Sequence, residues 1–332
     1  MNRQRRPALT AFRGRAGDHN DRAMSGSALL AAELAQRLGA PAHQVGHPEP
    51  ARNADWESEL SDALPALTEM ADRYRHVLDN GACPVAALSR CAVALATLPL
   101  IAQHRPDVCV VWLDAHADLN TPQNSETGYL GGMALAGPVG LWNTGLGAGV
   151  SPDNVVLCGV RDVDPSEQRL IDSGEIAALR PDHDLTARLR ETIAGRPVYV
   201  HLDCDVLEPD IVPTDYRVPG GLDLAELHDV AAMVAEHEVV GIEIGEFEGP
   251  DTSDGADTSD STDASDGTDI FDHTGTLMGP GTSASAESSL PELLDALQPL
   301  LNAAFHQDGS RASGSGTADE LTTLRNQSVG DR

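Results

Sequence analysis

The chain contains no lysine; all 22 of its basic residues are arginine, set against 52 aspartates and glutamates for a formal charge of −30. With no basic patch to bind a polyanion by counterion release, nucleic acid is not an expected partner. Such a charge fits a salt-rich cytoplasm, where screening removes much of the self-repulsion. Aromatic residues are scarce, at 3% of a chain that is 41% hydrophobic. Ala, Val and Leu must therefore supply the core, as they do in parallel strands covered on both faces. Cysteine is limited to Cys83, Cys91, Cys109, Cys158 and Cys204, an odd number that argues against a disulfide framework. Cys91, Cys109 and Cys158 read as buried thiols of a reducing compartment. No apolar run reaches the length of a membrane span, and the stretch after Arg5 and Arg6 is cut by Arg13 and Arg15, too early for a signal-peptide core. The expectation is a cytoplasmic protein with a small-molecule ligand and no membrane partner.

What is present is a repeating pattern of strand and helix. Apolar runs of strand length occur at 8–12, 108–113, 155–160, 198–202 and 239–244, with a poorer candidate at 75–78. Helices are expected over 28–38, stopped by Gly39, over 56–74 on Leu60, Leu64, Leu67 and Met70, over 85–103, and over 290–305. Solid apolar strands alternating with helices predict a parallel α/β sheet covered on both sides. One domain is expected over 8–306. Residues 250–289, rich in Asp, Ser, Thr and Gly, read as a disordered acidic insertion within it, and residues 1–7 and 307–332 as disordered ends.

Two segments carry the chemistry. In VVWLDAHADLNTP, residues 110–122, a strand ends in Asp114, His116 and Asp118 at two-residue spacing, which in extended geometry turns all three the same way. In VYVHLDCDVLEPD, residues 198–210, a second strand ends in Asp203 and Asp205. Two such strand ends side by side place five potential ligands in the crevice where open α/β sheets bind their ligands. Acids so concentrated repel one another until cations join them, and oxygen donors with one imidazole suit a divalent ion such as manganese. His201 reads as a packed or hydrogen-bonded strand histidine.

These segments resemble the signature motifs of the arginase, agmatinase and related ureohydrolase family. The likeness runs in order through most of residues 8–249 and takes in GVRDVDPSE at 159–167 and GIEIGEFE at 241–248. It implies a three-layer α/β/α domain around an eight-stranded parallel sheet, assembled as a homo-oligomer (trimer or hexamer), with two manganese ions that activate water for attack on a guanidinium carbon. Residue by residue, it implies that Asp114 and Asp203 bridge both ions, that Asp118 completes one, and that His116 with Asp205 completes the other. Asp118 would also hold the nucleophile, and Glu246 would grip the guanidinium. Asn120, Ser125 and Thr127 would face the substrate carboxylate and Asp164 its α-amino group, with Asp162 and Glu167 part of the same arginase-like pattern.

The chain departs from that pattern twice. The family's first metal ligand is a histidine in a GGDH loop, and Asn80-Gly81-Ala82-Cys83 is read as its counterpart. Cys83 would then either coordinate, shifting preference toward zinc, iron, cobalt or nickel, or leave that site weak. At Gly131 the histidine that shuttles protons in arginases is missing, and His19 is a candidate replacement. The expected activity is hydrolysis of a guanidino or amidino compound, L-arginine to ornithine and urea first among them. The alternatives are a catalytically weak metabolite-binding or regulatory protein, and another ureohydrolase such as a formiminoglutamase or agmatinase.

Overall fold

The computed structural model describes residues 6–250, 270–271, 277–278 and 285–304. β1 (Pro7–Phe12) takes in Pro7, expected outside the fold, because the first residue of a strand can forgo its N–H. α1 (Arg22–Leu38) ends on Gly39 at φ 59°, the left-handed stop that glycine supplies. β2 (His43–Val45) is a short edge strand on β1. α2 (Trp56–Asp79) begins at Asp55, whose side chain accepts the N–H groups of Glu57 and Ser58, an N-cap that holds the first turn.

The expected strand at 75–78 is instead the last turn of α2, where Tyr74, Val77 and Leu78 continue the buried face of Leu67 and Met70. The strand lies further on. β3 (Cys83–Ala87) is buried at every residue and occupies the start of the helix expected over 85–103. That Ala- and Val-rich run has no period to separate strand from helix; pairing with neighbours on both sides decides for strand. The helix is confined to α3 (Ala94–His104).

The remaining elements follow the anticipated alternation. They are β4 (Cys109–Leu113), β5 (Val155–Cys158), α4 (Pro165–Asp172), β6 (Ala177–Leu179), α5 (Leu185–Ile193), β7 (Val198–Asp203), α6 (Leu224–Val234), β8 (Val239–Gly245), α7 (Ala286–Ala296) and α8 (Gln298–Ala303). The three-residue β6 has no counterpart in the sequence reading. The expected acidic insertion falls largely outside the described residues. Within it Ile270–Phe271 pairs antiparallel with Leu277–Met278, and helix resumes at Ala286 rather than 290. The tail after 306 also lies outside.

The eight strands form one parallel sheet in the order β2-β1-β3-β8-β7-β4-β5-β6. Alternate residues pack on opposite sides: Val111, Val200 and Ile242 meet α1 and α5 to α8 on one face, and Val110, Trp112 and Tyr199 meet α2 and α3 on the other. This is the three-layer α/β/α architecture. All five cysteines are buried and form no disulfide. No helix among the described residues is long and apolar enough to cross a membrane.

Register places the chemistry. Leu113 pairs with Leu202 and Asp203 with Gly245, so Asp114, Asp203 and Glu246 leave the sheet at adjacent strand ends. Ala87 pairs with Ile244, which brings the loop after β3 to the same edge.

Candidate metal centre

Asp203 closes β7 in extended backbone, and turns just beyond the strand ends carry the other acids. Asp114 is held by the Trp112 indole N–H at 2.9 Å and by the His116 backbone N–H at 2.6 Å. Asp203 accepts the Asp205 N–H at 2.7 Å, and Asp205 accepts the Ala115 N–H at 3.1 Å, which ties the two strand ends together. The side chain of Arg161 clamps the β7 turn from below through the carbonyls of Asp205, Leu207 and Val218. Asp118 and Glu246 both adopt left-handed backbone, at φ 51° and 63°. Residues without a glycine's freedom rarely sit there, and such strain gathers at functional sites.

The five anticipated residues converge. His116 Nδ1 stands 3.0 Å from Asp205 Oδ2 and 3.3 Å from Asp114 Oδ1. Asp114, Asp118, Asp203 and Asp205 are all almost fully buried. Burial first, then the charge of Asp205, pushes the Asp114 carboxyl up to about 6. Burial likewise holds Asp118 and Asp203 well above the usual carboxylate range, with Asp114 and Asp205 respectively adding repulsion. Burial opposes ionisation of Asp205 too, yet the facing His116 outweighs it and leaves its pKa low. For His116, burial favours the neutral ring, but Asp205 and Asp114 prevail and raise its pKa well above the ordinary value.

Cys83 does not reach this centre. It lies at the opposite end of β3, in the core, with its sulfur 3.4 Å from the Val240 carbonyl. The cysteine at the site is Cys91, whose thiol donates to Asp203 Oδ2 at 3.0 Å. Because β3 runs from Cys83 to Ala87, the loop that meets the acids is Leu88-Ser89-Arg90-Cys91. The turn at Gly81 before a fully apolar CPVAA was the available signal. Beneath Cys91, His201 stacks on Trp112 at 3.5 Å between ring centroids. Its Nε2 lies 3.1 Å from the Cys91 sulfur and its Nδ1 2.7 Å from Glu243, the packed and hydrogen-bonded role expected of it.

Arg90 was not anticipated either. Its guanidinium is 0% exposed and lies among acids: Asp18 at 3.1 Å, Glu246 at 2.6 Å, Asp215 at 3.3 Å and Glu248 at 4.0 Å. Glu246 thus has both oxygens engaged, one by Arg90 and one by the Cys91 backbone N–H at 2.8 Å.

Among the described residues, donor atoms fall into three sets, each within 4.8 Å of one another: Asp114, His116 and Asp205; Cys91, Asp114 and Asp118; Cys91, Asp203 and Glu246. Buried carboxylates that repel one another fit divalent cations, which remove the repulsion. Above them opens a cavity of about 270 Å³. Asn120, Thr127, Asp164 and Glu167 line it, with Asn120 donating to Asp164 Oδ2 at 2.6 Å. Both oxygens of Glu167 accept backbone N–H groups, from Leu119 at 2.8 Å and Asp164 at 2.9 Å, so it shapes the wall while capping α4. Ser125 is turned into its own loop, where its hydroxyl accepts the Gly128 N–H at 3.0 Å, and it does not line the cavity.

A model of the arginase family matches residues 22–262, and the chain belongs to that family, whose members named below are hydrolases of linear C–N bonds. It is similar to the N(omega)-hydroxy-L-arginine amidinohydrolase of Streptomyces lavendulae, with 35% identity over 246 residues, 74% of this chain and 90% of that protein. The arginase of Bacillus subtilis (strain 168) is 28% identical over 239 residues, 65% and 81% of the two chains. A crystal structure of arginase from Bacillus subtilis has a TM-score of 0.69 over 89% of this chain and 98% of the other, at 19% identity, an agreement of fold.

Proposed function

We propose that the protein hydrolyses the amidino group of an arginine-type α-amino acid. The observation that carries this reading is the buried acid cluster at a cavity that Asn120 and Asp164 also line. Two divalent ions would be held by Asp114, His116, Asp118, Asp203 and Asp205, with Cys91 in the remaining position. The oxygen-rich half suits manganese, and the sulfur of Cys91 admits zinc, iron, cobalt or nickel. When bound, such ions supply Lewis acidity and make water nucleophilic at neutral pH. The chain's own residues do the rest: Asn120, Thr127 and Asp164 orient the amino-acid end, while Glu246 borders the amidino end.

Between two substrates of this class, the Arg90–Glu246 pair favours the one with the weaker base. A second guanidinium brought to Glu246 meets the positive charge of Arg90, and like charges at a desolvated site repel strongly. An N-hydroxyguanidino group is less basic, gives up its proton far more easily than a guanidinium, and in its neutral form avoids that repulsion. This supports N-hydroxy-L-arginine over L-arginine, in keeping with the activity named for the Streptomyces lavendulae relative. The test is to load the purified chain with manganese, zinc, cobalt, nickel or iron and assay urea, hydroxyurea and ornithine from both amino acids. Silence with every metal on both substrates overturns the hydrolase; equal preference, or a preference for arginine, overturns the role given to Arg90.

A further inference from the structure

Gly131 has no side chain where the arginase pattern carries a proton-shuttling histidine, and that space is filled. A Cβ placed on Gly131 would stand 2.7 Å from the hydroxyl oxygen of Tyr129 and closer still to its ring carbons. Real contacts of that kind are essentially never this short. The end of the Tyr129 ring therefore lies where a residue 131 side chain would begin. Glycine is required there for as long as the tyrosine keeps this position.

The ring is braced from behind. The His19 ring centroid lies 4.3 Å from it, and His19 is fixed by Asp215 Oδ2 at 3.1 Å. His19, the candidate replacement shuttle, does not line the cavity; it supports the residue that does. Tyr129 lines the cavity together with Cys91, Asp118, Asp203 and Glu246. Its hydroxyl is shielded from solvent and has no hydrogen-bond partner among the described residues. A buried polar group without a partner costs free energy, on the order of 1–3 kcal/mol, and its persistence calls for an explanation.

We propose that Tyr129 is a catalytic residue, whose hydroxyl donates a hydrogen bond to the leaving nitrogen of the substrate from the position that the absent residue 131 side chain would fill. Burial first, then the neighbouring Glu246 carboxylate, holds the phenol well above its usual range, so it is a donor at neutral pH. No bond to Tyr129 forms or breaks: water adds to the amidino carbon, the carbon–nitrogen bond breaks, and the departing nitrogen takes up the proton that the water releases. The hydroxyl gains its partner when substrate arrives, and the bond strengthens as negative charge develops on the departing nitrogen. The assignment rests on the amidinohydrolase reading above.

The experiment compares wild type, Tyr129→Phe, Tyr129→Ala and the double variant Tyr129→Ala/Gly131→His, each loaded with the metal that best activates wild type. Thermal melting of each checks the fold. Tyr129→Phe keeps the ring and is expected to lower kcat about 100-fold, within the range for a lost transition-state hydrogen-bond donor, while KM and Tm stay near wild type. In the double variant the vacated space admits the imidazole, and kcat is expected to recover at least about tenfold over Tyr129→Ala. A Tyr129→Phe enzyme with wild-type kcat overturns the assignment and leaves the hydrolase standing. A rise in KM with kcat unchanged assigns Tyr129 to binding shared by ground and transition states and overturns it too. Wild type silent on every guanidino amino acid overturns both readings together.

Discussion

On one side of the cavity, the ends of β4 and β7 present four aspartates and a histidine, oriented by backbone N–H groups and an indole. On the other, the end of β3 presents an arginine and a cysteine, and Arg90 is itself surrounded by Asp18, Glu246 and Glu248. Both halves bury several carboxylates. In the first, His116 offsets only part of their mutual repulsion and divalent ions would relieve the rest; the second neutralises them with a permanent cation built into the chain. Where an amidino substrate would meet Glu246, it meets a pair already formed, and the difference between the halves becomes a difference in which substrate charge state is welcome.

The comparison breaks most visibly at Arg90. Arg90→Met removes the guanidinium but keeps much of its volume, leaving Asp18, Glu246 and Glu248 buried without it. Breaking a buried pair from one side is expected to cost about 3–5 kcal/mol, read as a drop in the urea midpoint of the metal-loaded protein. A midpoint unchanged within error would show that the second half does not depend on its cation. The surviving enzyme is also expected to lose its preference for the less basic substrate.

The two halves differed equally in how well they could be read. Asp114, His116, Asp118, Asp203 and Asp205 are legible because they follow unbroken apolar strands at alternate positions, although turns beyond the strand ends, not continued extended geometry, bring them together. Glu246 and the Asn120–Asp164 wall came only through family resemblance. Arg90, Cys91 and Tyr129 were missed for physical reasons. Residues 83–103 are apolar almost throughout, so no period marks where β3 stops, and a strand placed at 75–78 carried the expected ligand to Cys83. Sheet pairing, a long-range property, fixes that boundary. Tyr129 becomes a site residue only because Gly131 leaves room for its ring, which no local pattern records.

The two cysteines sharpen the same contrast at smaller magnitude. Cys91→His faces the cavity and would give the second half an imidazole in place of sulfur; retention of manganese against zinc, measured by elemental analysis, is expected to rise. Cys83→His forces a larger polar ring among Val85, Val239 and their neighbours in the packed layer. Overpacking of this kind costs about 1–3 kcal/mol, with metal content unchanged. The reverse outcome, metal altered at 83 and stability at 91, would return the ligand to the loop after Asn80.

The last contrast is one of pH, and it separates the halves without mutation. Asp114 and Asp18 are each raised from 3.8 to about 6 in the folded chain, by burial first in both cases. A carboxyl whose folded pKa lies above its unfolded value favours the fold fully below the unfolded pKa and loses that contribution as pH rises through the folded one. Metal-free protein is therefore expected to lose stability between about pH 4 and pH 6, by at most about 1.4 kcal/mol per pH unit for each group. Saturating metal should hold Asp114 ionised and abolish its share, because the ion binds the carboxylate and competes with the proton. Asp18, facing Arg90 rather than the metal sets, should keep its share. Denaturation curves at several pH values with and without metal are expected to show a slope that metal reduces but does not remove. A slope that vanishes entirely with metal would place Asp18 in the same electrostatic unit as the aspartate cluster, and the two halves would then be one.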